Sequence, residues 1–243
     1  RIGGSGGGAI KLSVSGTFTV NGTLSSDGGD GTGDKALGGS GGSIWIMGNC
    51  ALVGTGTISS AGGTGTTTNS SYGAAGGGGR IDVSSVNAGT STFFTSGGTL
   101  DVTAGIGGTY SQQATAGTIK FPSSFDLVVD NSGSTGLKNL TLGTNVESGS
   151  VEDSLYNFDS VTVASASTLT LSGNWQLANG GSAGDPYGQD VTISASSMTI
   201  TGTVSADGKG FSGPRYRNGR GPGKGIRASS IEASGAGYGG GGG

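Results

Sequence analysis

The apolar residues fall in short bursts that alternate with polar ones. The first burst set is Ile10, Leu12, Phe18, Val20 and Leu24, and the second is Ile44, Ile46, Leu52 and Ile58. A third, Val191, Ile193, Met198, Ile200 and Val204, stands near the other end, and a looser one follows Gly79 as Ile81, Val83, Phe94, Leu100 and Val102. A glycine precedes the last mark in three of them, at Gly22, Gly56 and Gly202. Between residues 117 and 177 lie further bursts, at 118–121, 126–130, 140–142, 161–163 and 169–171. Period-two alternation over three to five residues predicts very short β-strands.

Strands this short cannot close a large open sheet, but they can form the faces of a coil. The repeated frame therefore predicts an all-β fold, a Gly-rich right-handed parallel β-helix or β-solenoid. Each rung sets its inward Ile, Leu or Val about 4.8 Å above the one before. Ile10, Leu12, Ile44, Ile46, Val191 and Ile193 are the expected core rungs. Corners need φ > 0 or close approach, which Gly and Asn supply. Rungs of about 20–30 residues would give about 8–12 turns. The whole chain, 1–243, reads as one solenoid: a Gly-rich repeat half (1–116), a strand-dense middle (117–204) and a Gly-rich basic tail (205–243).

The long Gly-rich stretches 27–42, 61–79, 179–190 and 205–243 leave two alternatives. Either they are flexible excursions, or they are ordered, polyproline-II-like segments packed on one another, with hydrogen in place of side chains. The recurrence of GGSGG or GGGG before each strand pair favours order.

Composition narrows the field. Of 243 residues 57 are Gly and 4 are Pro, without the strict Gly-X-Y period of collagen. Gly costs about 1 kcal/mol per helical position, which argues against an all-α fold. No apolar run approaches the roughly 18 residues of a membrane span. The absence of His removes the usual transition-metal ligand and the commonest general base. A net charge of −3 gives no general pull toward nucleic acid. With a single cysteine, Cys50, no internal disulfide forms. The chain starts at Arg1 and reads as a mature chain or as a segment of a longer one. The sequons at Asn21, Asn69 and Asn139 are glycan acceptors only in a eukaryotic secretory route.

The strings GGSGGGAIKL, GGSGGSIWI, GTISSAGG, AAGGGGRIDV, AGTIKF, DLVVDN and VSADGKG together resemble the Gly-rich repeat regions of large secreted or surface adhesin-like parallel β-helix proteins of environmental microbes. The resemblance covers most of the chain and implies an extracellular structural or adhesive role, with no catalytic residues. The basic stretch 209–227 departs from it. In such regions a segment like the C-terminal VSADGKG…GAGYGGGGG tends to precede one like the N-terminal GGSGGGAIKL. Complementary ends imply head-to-tail stacking, which propagates into a filament when it does not close.

Several constellations invite chemistry. Asp27, Asp30 and Asp34 lie in DGGDGTGD, either calcium ligands on a flexible loop or solvated turn aspartates. A β-roll calcium nonapeptide begun at Gly28 finds Gly33 at its aspartate position, with Asp34 one residue late. Lys209, Arg215, Tyr216, Arg217, Arg220, Lys224 and Arg227 form a basic stretch without acids. It reads as a solvated loop, as a subunit contact with the acidic Glu147, Glu152, Asp153 and Asp159, or as a grip on polyanionic glycan. Paired carboxylates for glycoside hydrolysis would be Asp153 with Asp159 or Asp126 with Asp130. Thr-x-Thr runs, such as Thr17/Thr19 and Thr55/Thr57, suit ice binding or ordinary strands. Trp45, Trp175, Tyr110, Tyr156 and Tyr187 could stack on sugars; Trp45 points away from whatever Ile44 and Ile46 face.

The expectation is a non-catalytic, extracellular or cell-surface structural protein. It would be a homo-oligomer built head to tail into a filament, with extracellular polysaccharide as a further partner. The alternative is a glycan- or surface-binding adhesin module. No cofactor is expected unless calcium binds the aspartates; neither a nucleic acid partner nor a membrane span is expected.

Overall fold

The computed structural model describes residues 1–66, 73–108, 114–131, 135–143, 155–173 and 191–209. Nearly all their regular structure is β. The first turn of chain carries β1 (Ala9–Ser13), β2 (Thr17–Thr19) and β3 (Thr23–Ser25). The second carries β4 (Ser43–Met47), β5 (Ala51–Val53) and β6 (Thr57–Ser59). The third has β7 (Arg80–Asp82), a single 3-10 turn (Phe93–Thr95) and β8 (Thr99–Asp101). Then come β9 (Thr118–Lys120), β10 (Asp126–Val129), β11 (Thr141–Gly143), β12 (Leu155–Val163), β13 (Thr168–Ser172), β14 (Thr192–Ile200) and β15 (Thr203–Ser205).

Every strand pairs in parallel with its counterpart on the next turn. The sheets run β1-β4-β7-β9, β2-β5, β3-β6-β8, β10-β12-β14 and β11-β13-β15. This is a parallel β-solenoid of about four turns along its first sheet, and β12 to β15 continue the stack. The pairing Ile10–Ile44, Leu12–Ile46, Phe18–Leu52 and Leu24–Ile58 is the register that the repeated frame implied. Ile81, Ile119 and Leu100 extend the columns.

The turn length corrects the sequence reading. Ala9 lies opposite Ser43, Ser43 opposite Arg80 and Arg80 opposite Thr118. Along this sheet a turn therefore takes 34 to 38 residues, and the stack has fewer turns than the 8–12 expected. The difference is the Gly-rich stretch, which belongs to the turn instead of interrupting it.

Those stretches form an ordered second half of each turn. Amides of Gly4 and Gly7 donate to Leu37 and Ser40, those of Gly28 and Gly31 to Ala61 and Thr64, and those of Gly38 and Gly41 to Ala74 and Gly77. The step of three along both partners is the polyproline-II repeat. A second set runs crosswise and antiparallel: Gly39 to Gly29 and Gly42 to Ser26, then Gly76 to Gly63 and Gly79 to Ser60. The Gly segments thus make two layers, parallel within a layer and antiparallel between layers. A Cβ at Gly63 would collide with the backbone of Gly29, and one at Gly39 with that of Ser5. Glycine is required at these positions by space alone.

The core sits inside the three strand faces. Ile44, Ile46, Leu52, Ile58, Ile81, Leu100 and Leu127 are fully buried, while Ile10, Leu12, Phe18 and Leu24 of the first turn are half-buried. Val191 and Ile193 pack against the core from the far end and are partly buried. In the third turn no strand follows β5; there Phe93 and Phe94 fill the interior, and the Leu52 amide donates to Ser91 Oγ at 2.9 Å. Phe94, Phe125, Phe121, Phe158 and Tyr156 then form a continuous ring cluster, with centroid separations of 4.8 Å for Phe94–Phe125 and 5.3 Å for Phe121–Phe125. Corners use left-handed backbone at Gly48 and Asn49 (φ 106° and 53°), as the sequence suggested.

Candidate functional site

Two regions of the described surface stand out, the ends of the stack and the outer face of the first sheet. At the near end β1, β2 and β3 terminate their sheets, and at the far end β14 and β15 terminate theirs among the described residues. The inward residues of the terminal turns lack the cover their neighbours have. Met198 and Ile200 are 47% and 48% exposed, whereas Val161 and Val163, one turn inside, are 1% and 0% exposed.

On the outer face of β1-β4-β7-β9, alternation and register together build a polar column, Lys11–Trp45–Asp82–Lys120, from three turns of spacing. With Ile44 and Ile46 buried, Trp45 faces outward and is 42% exposed. Lys11 Nζ lies 4.4 Å from its ring centroid, a cation–π contact. The Asp82 carboxylate accepts the Ser84 amide and hydroxyl, at 3.0 and 2.6 Å.

Among the described residues this sheet ends at β9. β12 pairs with β14 along its length, but meets β10 only from Ser160 onward, and β9 pairs with β7. Between β9 and the Leu155–Phe158 half of β12 lies a cleft of about 460 Å³. Arg80, Lys120, Ser84 and Asn157 line it with Phe121 and Tyr156. Tyr156 donates its hydroxyl to the Gly143 carbonyl at 2.7 Å, which fixes the ring.

Each candidate calcium ligand has a protein partner of its own. Asp27 accepts Ser25 Oγ at 2.6 Å, Ser59 Oγ at 2.5 Å and the Ala61 amide at 2.7 Å. Asp30 accepts the Thr64 amide at 2.7 Å, and Asp34 pairs with Arg1 at 3.8 Å. Asp27 and Asp30 thereby cap the outward amides of the next Gly segment, which the three-residue repeat leaves without a backbone partner. Partial burial raises the Asp27 pKa, but the hydrogen bonds from Ser25, Ser59 and Ala61 outweigh it and hold the carboxyl below its usual range. Among the described residues no three His, Cys, Asp or Glu side chains gather as metal ligands would.

Of the basic stretch, Lys209 is described, its amide donating to Ala206; Arg215, Tyr216, Arg217, Arg220, Lys224 and Arg227 lie outside the described residues, as do Trp175, Tyr110, Tyr187 and the acids Glu147, Glu152 and Asp153. Asp126 accepts Ser160 Oγ at 2.5 Å and Asp130 accepts Thr135 Oγ1 at 2.7 Å. Cys50 is buried as a free thiol, and burial pushes its pKa up. Among the described residues no helix is long and apolar enough to cross a membrane. Sequence reasoning missed the cleft, since its two walls, 118–123 and 155–158, meet only through the register. Comparison with known proteins adds no relative: no family model matches the chain, and no curated protein or solved structure is detectably similar to it.

Proposed function

We propose that the chain is a non-catalytic structural unit, a subunit or segment of an extracellular filament that grows by stacking solenoid end on solenoid end. The observation that carries this reading is the state of the two ends. Among the described residues each presents open strand edges and the ends of the apolar columns, as at Met198 and Ile200, whereas Val161 and Val163 one turn inside are covered. Open parallel edges are templates for further pairing, and contact between two unlike ends is head-to-tail. The next turn is supplied by a second copy or by further turns of a longer chain, and the physical interaction is the same in both. Stacked backbone ladders over an aliphatic column would resist salt, because little of the contact is charge.

Negative-stain microscopy and sedimentation of the purified chain at micromolar concentration test it. Unbranched filaments that persist in high salt are expected. Monodisperse short rods across the concentration range would sink the proposal. Dissolution of filaments by EDTA would instead assign a calcium role to the Asp27–Asp34 loop.

A further inference from the structure

We propose that the far end of the stack receives the first turn of a second copy in one fixed register, with β15 against β3. This rests on the filament reading above and names its partner and its seam. The stretch SMTITGTVSADG (197–208) repeats TFTVNGTLSSDG (17–28) position by position, without a gap. Thr203, Ser205 and Asp207 stand for Thr23, Ser25 and Asp27, while Met198, Ile200 and Val204 stand for Phe18, Val20 and Leu24. The local geometry repeats as well. The Asp27 amide donates to Ser25 Oγ at 3.3 Å, and the Asp207 amide donates to Ser205 Oγ at 3.0 Å. The likeness stops at the preceding strand, since β14 runs unbroken from Thr192 to Ile200 while β1 and β2 are separate.

The interior shows what such a turn receives. The edge of β3 takes β6, with Thr23 opposite Thr57, Leu24 opposite Ile58 and Ser25 opposite Ser59. The second turn carries the same frame as the first, ALVGTGTISSAG (51–62). A surface that fits the second turn therefore fits the first, and the edge of β15 repeats the residue pattern of β3. In the seam Thr203 lies opposite Thr23 of the next copy, Val204 opposite Leu24 and Ser205 opposite Ser25. Met198 covers Phe18, as Phe18 meets Leu52 inside. Asp207 takes the place of Asp27, which accepts the Ser59 hydroxyl and the Ala61 amide one turn on. Its partners across the seam are the Ser25 hydroxyl and the Asp27 amide. One position differs in charge: Asp27 of the next copy stands where the interior has Ala61, so two carboxylates approach. Lys209, aligned with Gly29 and exposed, brings a cation to that turn, and opposite charges fix a register.

Disulfide trapping on the full chain tests the register. Residues directly opposed on neighbouring strands lie about 4.8 Å apart, within disulfide reach, whereas residues two places out of step lie about 8 Å apart, beyond it. The Thr203→Cys variant is mixed with either Thr23→Cys or Ser25→Cys at micromolar concentration, oxidised with copper phenanthroline and read on non-reducing gels. Thr23, Ser25 and Thr203 are exposed, so each variant should melt like the parent. The parent, whose Cys50 is buried, is the blank, and no variant should link on its own. Thr203→Cys should form a linked dimer with Thr23→Cys at least about tenfold faster than with Ser25→Cys. Filaments that link at equal or reversed rates, or that do not link, would overturn this register and leave end-to-end growth standing. Neither filaments nor linkage would overturn both, and would mean that a segment other than the first turn of a second copy covers β15.

Discussion

At the scale of single residues, glycine acts in this protein as a volume rather than as a hinge. Gly63 sits where a Cβ would overlap the Gly29 carbonyl, while Gly22 has open space around it and no left-handed backbone. Gly63→Ala should lower stability by roughly 1–3 kcal/mol through overpacking. Gly22→Ala should be neutral or raise it by about 0.4–1 kcal/mol, by restricting the unfolded chain. Thermal melts of the two variants check the contrast; equal effects would mean the Gly layers are loosely packed. Asp27 gives a second test. Its folded pKa is depressed, so its contribution to stability is present above the unfolded value and lost as pH falls through the folded one. The melting temperature should therefore decline on acidification at and below about pH 4, and Asp27→Asn should lose part of that decline. An unchanged pH profile in the variant would remove Asp27 from the account.

At the scale of elements, the strands and their register were legible because Ile10, Leu12, Phe18 and Leu24 return as Ile44, Ile46, Leu52 and Ile58 at a constant offset. The matching of Gly56 to Gly22 also held: Thr57 donates its amide to the Gly22 carbonyl. Three things were hidden. The turn length was underestimated because Gly stretches carry no hydrophobic mark by which to count them. The 3-10 turn at Phe93–Thr95 was hidden because two adjacent phenylalanines fit no period-two pattern. The capping role of Asp27 was hidden because its partners Ser59 and Ala61 lie a full turn away in sequence. The Gly segments also make a prediction of their own. In 38–42 the amides of Gly38, Gly39, Gly41 and Gly42 all donate to backbone carbonyls, whereas Ser40 is exposed. Hydrogen exchange should find those four glycines protected and Ser40 fast. Uniformly fast exchange across the segment would exclude the layered packing.

For the whole molecule, the filament proposal turns on a few apolar atoms at one end. Replacing Met198 and Ile200 by lysine puts two like charges against the next turn. Both side chains are already half in solvent, so the single unit should fold and melt as before. Assembly measured by sedimentation should fail in this double variant; filaments as long as the parent's would show that growth uses another surface.

The two-layer Gly slab also affects how the protein looks to a spectrometer. Its backbone has the three-residue repeat of polyproline II, the conformation that dominates unfolded chains. Far-ultraviolet circular dichroism would therefore add an unfolded-like band to the strand signal, and a fully folded sample would look partly denatured. Melting such a slab exchanges one extended backbone for a similar one, so the spectrum would change little while its hydrogen bonds disappear. A preparation judged by dichroism alone would be discarded as disordered when it is intact.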